Sequence, residues 1–175
     1  MRVLFELDLK DYEPNLPVFS RPSVRAVIIR GDRVAMVHSR RYNYYKFPGG
    51  GIDKGETHAD TLIRETREEA GLSVLPRSIR EYGQVCRRQR DWFSPCIFEQ
   101  LNYYYLCAVS DDSLPQQLDD YEDQEGFVLE WMDPREAIRV NLAEDHGPKD
   151  TAMIRREARV LELLLSEGFF PDHHP

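Results

Sequence analysis

Residues 50–72 read GGIDKGETHADTLIRETREEAGL, and this stretch governs how the rest of the chain is read. Its middle has the period of an amphipathic helix. At about 100° per residue, Ala59, Leu62, Ile63, Thr66 and Ala70 fall on one stripe, which predicts a core-facing side. Thr57 is placed to cap the N-terminus, with Asp60 in capping-box position. Gly71 is placed to stop the helix in a left-handed conformation, with the apolar Leu72 behind it. Beside the stripe stand Glu65, Glu68 and Glu69. Carboxylates at this spacing repel one another, and near an apolar face they also lose water. A hard divalent cation such as Mg²⁺ resolves the conflict, because it takes oxygen ligands and binds phosphates at the same time. Arg64 offsets part of the repulsion and can aim the Glu68 carboxylate.

Upstream, Phe47-Pro48-Gly49-Gly50-Gly51 reads as a strand end running into a loop dominated by backbone. Such a loop lets carbonyls reach a metal or amides approach a phosphate. The spacing of Gly50, Glu56, Arg64-Glu65, Glu68-Glu69, Gly71 and Leu72 resembles the signature of the Nudix hydrolases. Thr66 departs from it, since the family carries an aliphatic residue there. Its methyl still suits the core, and its hydroxyl can bond back within the helix.

The resemblance implies a Nudix-type α/β/α sandwich with a mixed β-sheet, as one domain over residues 1–175. It implies a Mg²⁺ cofactor, with Mn²⁺ as the other choice. The implied reaction is hydrolysis of a nucleoside diphosphate linked to another moiety, by a metal-activated water attacking phosphorus. The substrate could be a nucleoside triphosphate, ADP-ribose or another nucleotide sugar, or a dinucleotide. By resemblance, Glu68 and Glu69 are metal ligands, and Glu65 is a ligand or the general base. Gly50 offers its carbonyl to the metal, Arg64 orients the glutamates, and Glu56 supports the loop. Relatives recruit one more acid from a later loop. The candidates here are Asp119, Asp120, Glu122, Asp123 and Glu125, with Glu125 preferred and Glu122 second.

Composition sets the outer bounds. With 175 residues, 41% hydrophobic and 31% charged, the chain has the makeup of a soluble globular domain. A formal net charge of −8 argues against binding a nucleic acid polymer, and a phosphate substrate would need a local cation. Cys86, Cys96 and Cys107 have no C-x-x-C spacing and read as unpaired thiols in a reducing compartment. No apolar run approaches a membrane span and no signal-peptide core opens the chain, so a cytoplasmic protein without a membrane partner is expected. His173-His174 is too short for a tag or a metal site.

Along the chain, residues 3–9 read as a strand and 11–22 as an irregular connection. Residues 23–40 read as a hairpin turning at Gly31-Asp32. Residues 42–47 form an aromatic strand, 79–90 and 99–110 a second hairpin, 111–124 an acidic loop, and 126–132 a closing strand. Residues 134–140 read as a short helix with Pro134 at its first position. From Asp150 to Gly168 runs a second amphipathic helix with a stripe of Met153, Ile154, Ala158, Leu161, Leu164 and Leu165. That stripe can pack on the sheet or on a second subunit, so monomer and homodimer both stay open. Two helices around mixed strands make a layered α/β sandwich.

For substrate contacts, the guanidinium forks of Arg25, Arg40 and Arg41 suit phosphate. Tyr44, with Tyr42 and Tyr45, precedes the glycine loop, and Trp92 and Phe93 sit in a turn; any of these can stack on a base or pack structurally. Two other functions share the resemblance. One is a catalytically inactive module that binds a nucleotide, which a degenerate signature would mark. The other is isomerisation of an isoprenoid diphosphate, which needs a dedicated cysteine.

Overall fold

The computed structural model describes residues 1–143 and 145–171; His173 and His174 lie outside the described residues. In chain order, β1 (Val3–Asp8), β2 (Val18–Ser20), β3 (Ser23–Val27), β4 (Ile29–Arg30), β5 (Arg33–Ser39) and β6 (Tyr44–Lys46) lead into α1 (His58–Ala70). Then β7 (Leu72–Val74), β8 (Arg80–Arg90), β9 (Ile97–Leu106) and β10 (Val109–Ser113) precede α2 (Asp120–Glu125), β11 (Phe127–Met132), α3 (Pro134–Asn141) and α4 (Thr151–Ser166).

The long hairpin β8–β9 is the spine of one mixed sheet. β1 runs parallel to β8, and β2 and β3 run parallel to β9. A second, antiparallel sheet is centred on β5, which pairs with β4, β6 and β11. Side chains alternate along β5 and feed both faces. Ala35 joins Val24, Ala26, Ile28, Leu62, Ala70 and Leu72 on the α1 side. Val34 and Met36 join Phe5, Tyr104, Val160, Leu161 and Leu164 on the α4 side. The sheets are therefore held between α1 and α4, the α/β/α layering expected. Among the described residues no helix is long and apolar enough to cross a membrane.

Three local expectations change. The hairpin over residues 23–40 is shorter than its pattern, because only Ile29 and Arg30 pair back onto β5. Every residue of β3 is buried, and it joins the other sheet through β9. A strand covered on both faces is a continuous apolar run, which a hairpin arm can imitate. The acidic stretch is not simply a loop: β10 pairs with β7, and α2 has a capping box of Asp119 and Glu122. Ala59 is exposed, and Thr61 is buried in its place. The loop before α1 closes over that side, where the Thr61 hydroxyl donates to Glu56 at 2.7 Å.

The ends of α1 form as read. The Thr57 hydroxyl accepts from the Asp60 amide at 3.2 Å, and the Asp60 carboxylate accepts from the Thr57 amide at 3.1 Å. Gly71 has φ 64°, and a Cβ there would meet the Leu114 carbonyl oxygen at 2.1 Å. The chain after β10 is stitched to this helix end. Leu114 N–H donates to the Gly71 carbonyl at 2.9 Å, and Gln117 N–H to that of Glu68 at 2.8 Å. The Gln116 side chain donates to the Glu69 carbonyl. This stitching delivers α2 to the acidic face of α1.

Candidate active site

The glycine loop and α1 meet at a cavity of about 220 Å³. Its walls include Arg25, Lys46, Gly50, Glu65, Glu69 and Glu122. Glu65 and Glu69 are one helical turn apart and project to the same side. Glu65 lies against Gly50, where a Cβ would come within 2.4 Å of its carboxylate, so any side chain there would displace that carboxylate. Glu69 is buried; it accepts from the Gly49 amide at 2.9 Å and pairs with the Lys46 ammonium. The Gly50 carbonyl accepts from Val24 N–H at 3.0 Å, which leaves one lone pair free.

Burial and then the charge of Glu69 push the Glu122 carboxyl up to about 7. The same two causes, in the same order, raise Glu65. Arg64 works from the outer side. Its guanidinium donates to both oxygens of Glu56 at 2.7 and 2.8 Å, to Glu65 at 2.7 Å and to Glu68 at 3.1 Å. Those hydrogen bonds hold Glu56 down at about 2. Glu68 lines a separate surface cavity with Asp60, Ile63, Arg67 and Gln117.

Of the loop acids, Glu122 reaches this cavity and Glu125, the preferred candidate, does not. Glu125 is the last residue of α2, and its carboxylate lines the neighbouring cavity instead. There Glu125 accepts from Ser39 at 3.1 Å and Tyr44 at 2.9 Å and pairs with Lys149. Asp119 lines the acidic cavity beside Glu122. Arg25 is buried and faces the cavity. Arg40 and Arg41 are exposed in the turn after β5 and line neither this cavity nor its neighbour. The Arg41 guanidinium lies over the Tyr42 ring, 5.3 Å from its centroid. Trp92 and Phe93 are exposed at the β8–β9 turn, away from both cavities. The cysteines line neither one.

A second cavity of about 350 Å³ adjoins the first and shares Arg25, Lys46, Gln100 and Tyr121 with it. Tyr44, Arg87, Glu125, Phe127 and Lys149 complete much of its wall. Sequence reading did not single out Lys46, Arg87, Gln100, Tyr121 or Lys149. The available signal was a lone lysine inside an aromatic strand, next to the glycine loop.

Among the described residues no group of three or more His, Cys, Asp or Glu is placed to hold a metal ion. Glu69 is paired with Lys46, and Glu65 and Glu68 with Arg64. The donor chemistry nevertheless fits a hard divalent cation. Glu65, Glu69 and Glu122 present only oxygens, and burial with mutual repulsion raises Glu65 and Glu122.

A NUDIX domain family profile matches residues 19–156. The chain is 31% identical over 147 residues to nucleoside diphosphate-linked moiety X motif 6 of Mus musculus, covering 84% of this chain and 40% of that protein. It is 30% identical over 120 residues to the NAD-capped RNA hydrolase NudC of Pseudomonas fluorescens, covering 67% of this chain and 40% of the other. The chain thus spans about 40% of the length of these two relatives. A NUDIX hydrolase from Nitrosomonas europaea has the same fold, with a TM-score of 0.54, 19% identity, and coverage of 81% of this chain and 90% of that one.

Proposed function

The chain belongs to the Nudix hydrolase family, and from that premise we propose that it is a Mg²⁺-dependent pyrophosphohydrolase of a small nucleoside diphosphate derivative. The observation that carries this reading is one cavity lined by Glu65, Glu69 and Glu122 together with Arg25 and Lys46. Diphosphate hydrolysis needs both: oxygen donors for a cation and cationic groups for phosphate oxygens. Glu65, Glu69 and Glu122 would hold the ion, with Glu68 on the Arg64 side of the same helix. When bound, the ion supplies charge neutralisation on phosphate oxygens and a more acidic water.

The remaining work falls to the chain's own groups. Arg25 and Lys46 bind phosphate oxygens. Arg64 holds Glu65 and Glu68 in fixed rotamers, and Glu56 in turn anchors Arg64. Glu122, raised by burial and by the Glu69 charge in the metal-free chain, is a group that a bound cation would hold ionised. Tyr121 on α2 stands at the junction of the cavities, where its ring can stack on a base.

One observation favours a second reading. The Lys46–Glu69 pair satisfies Glu69 without a metal, as a nucleotide-binding module without turnover would require. A panel of nucleotide derivatives incubated with Mg²⁺, with products identified by mass, separates the two. Hydrolysis at a phosphoanhydride bond is expected. Binding of a nucleotide with no Mg²⁺-dependent product in any member would favour the module.

A further inference from the structure

The second cavity sits over a polar floor in the middle of the fold. On β8, alternate residues Val85, Arg87 and Gln89 are buried, so an inward face that begins apolar turns polar. Gln100 of β9 lies opposite Arg87 in the strand register and accepts from it at 3.2 Å. From α4, the fully buried Arg156 donates to the same Gln100 oxygen at 3.1 Å and pairs with Glu157.

The charges here do not cancel. Lys46 pairs with Glu69, Arg87 with Asp150, Lys149 with Glu125, and Arg156 with Glu157. Arg25, 8% exposed, bonds only the Gly49 carbonyl and makes no ion pair among the described residues, though its charge also acts on Glu65. Its Nε and that of Arg87, 5% exposed, are buried without a hydrogen-bond partner. The acids that line the cavity are already engaged. Asp150 accepts from the Ala152 and Met153 amides at 3.0 and 3.2 Å and takes Arg87 on its other oxygen. Glu125 is held by Ser39, Tyr44 and Lys149. Burial first, then the neighbouring Arg156 guanidinium, pushes Arg87 down to about 10, a sign that positive charge is crowded. Buried donors without acceptors and a surplus cation both raise the energy of the empty cavity. A multiply charged anion in the cavity balances the surplus charge.

We propose that this second cavity binds a further phosphate group of the substrate, beyond the diphosphate that is cleaved, through Arg25, Arg87 and Lys149. Arg25 and Lys46, common to both cavities, place that phosphate next to the scissile diphosphate. The group is either the terminal phosphate of a longer polyphosphate chain or a phosphomonoester carried on the attached moiety. The kinetic half of the test rests on the pyrophosphohydrolase reading, and the binding half does not.

In EDTA the acidic cavity repels anions, so inorganic phosphate titrated into the full chain by calorimetry reports on the basic one. Saturable binding is expected, weakened about tenfold or more by Arg87→Gln and by Lys149→Gln. Lys149 is partly exposed, and glutamine keeps a donor for Glu125, so this variant tests the proposal even where Arg87→Gln disturbs the fold. Absence of phosphate binding, or binding that both folded variants leave unchanged, overturns it.

With Mg²⁺, kcat/KM is then compared within two substrate pairs: a nucleoside triphosphate against its diphosphate, and a nucleotide sugar with and without a phosphate on the sugar. Lys149→Gln should cut the preference for the phosphorylated member in one pair about tenfold, and that pair identifies the source. Preferences unchanged in both pairs overturn the proposal. Failure to hydrolyse any of the four or any member of the wider panel, with phosphate binding as expected, sinks the hydrolase reading and leaves the anion site standing.

Discussion

The two cavities share Arg25, Lys46, Gln100 and Tyr121, yet one ends in carboxylates and the other in cations. They are also built differently. Glu65 and Glu69 come from one turn of α1, and Glu122 is carried to them by backbone hydrogen bonds to the end of that helix. The basic cavity is assembled from β3, β6, β8, β9, α2, β11, the residues just before α4 and the first turn of α4. Local spacing makes most of the first, and strand register most of the second, while the Lys46–Glu69 pair joins them.

The largest effect is expected at the floor of the basic side. Arg156→Met leaves Glu157 fully buried without its partner, which costs about 3–5 kcal/mol. Urea denaturation should show that loss, with most of it recovered in Arg156→Met/Glu157→Gln. A loss below about 1 kcal/mol would show that Glu157 finds another partner.

On the acidic side, Glu69→Gln keeps an acceptor for the Gly49 amide and removes the charge. Mg²⁺-dependent kcat should fall at least a hundredfold, about 2.7 kcal/mol. Stability must be measured alongside, because Lys46 loses its counter-charge. A variant with full turnover would remove Glu69 from the mechanism.

A smaller effect separates the sides by pH. In the metal-free chain Glu122 titrates near 7, against 4.5 for an ordinary glutamate. A raised acid binds its proton more tightly when folded. Its contribution is therefore fully present below about 4.5 and is lost as pH rises through 7. Melting temperatures in EDTA should fall across that window, and Glu122→Gln should flatten the part due to this group. An identical slope in the variant would assign the dependence elsewhere.

The smallest contrast tests the shared wall. Arg25→Gln should raise KM about tenfold, while Arg41→Gln, changed at an exposed turn, should stay within about twofold. Equal effects would mean that the substrate reaches beyond both cavities.

What the sequence disclosed follows the same division. Capping, the αL stop and the acidic turn of α1 depend on neighbours within a few residues, so Thr57, Asp60, Glu65, Glu69 and Gly71 were readable. The layered sandwich was readable too, because alternation along β5 and the stripe of α4 are periodic. Arg87 was not. It sits among Arg88 and Arg90 on β8, and only pairing with β9 decides which of these faces inward. The fully buried Arg156 and Glu157 likewise interrupt a stripe that looked wholly apolar. Which of Glu122 and Glu125 lines the acidic cavity is hidden for a related reason, since the acidic stretch reads as loop and nothing local gives the direction from which α2 approaches.

One residue ties the local to the distant. Gly71 allows the backbone at Leu114 to lie against the end of α1, closer than any side chain would permit. It acts as a shim between the end of α1 and the chain that leads to α2. A methyl group there would leave every acid in the chain and still detune the pocket, by wedging one jaw of the vice away from the other.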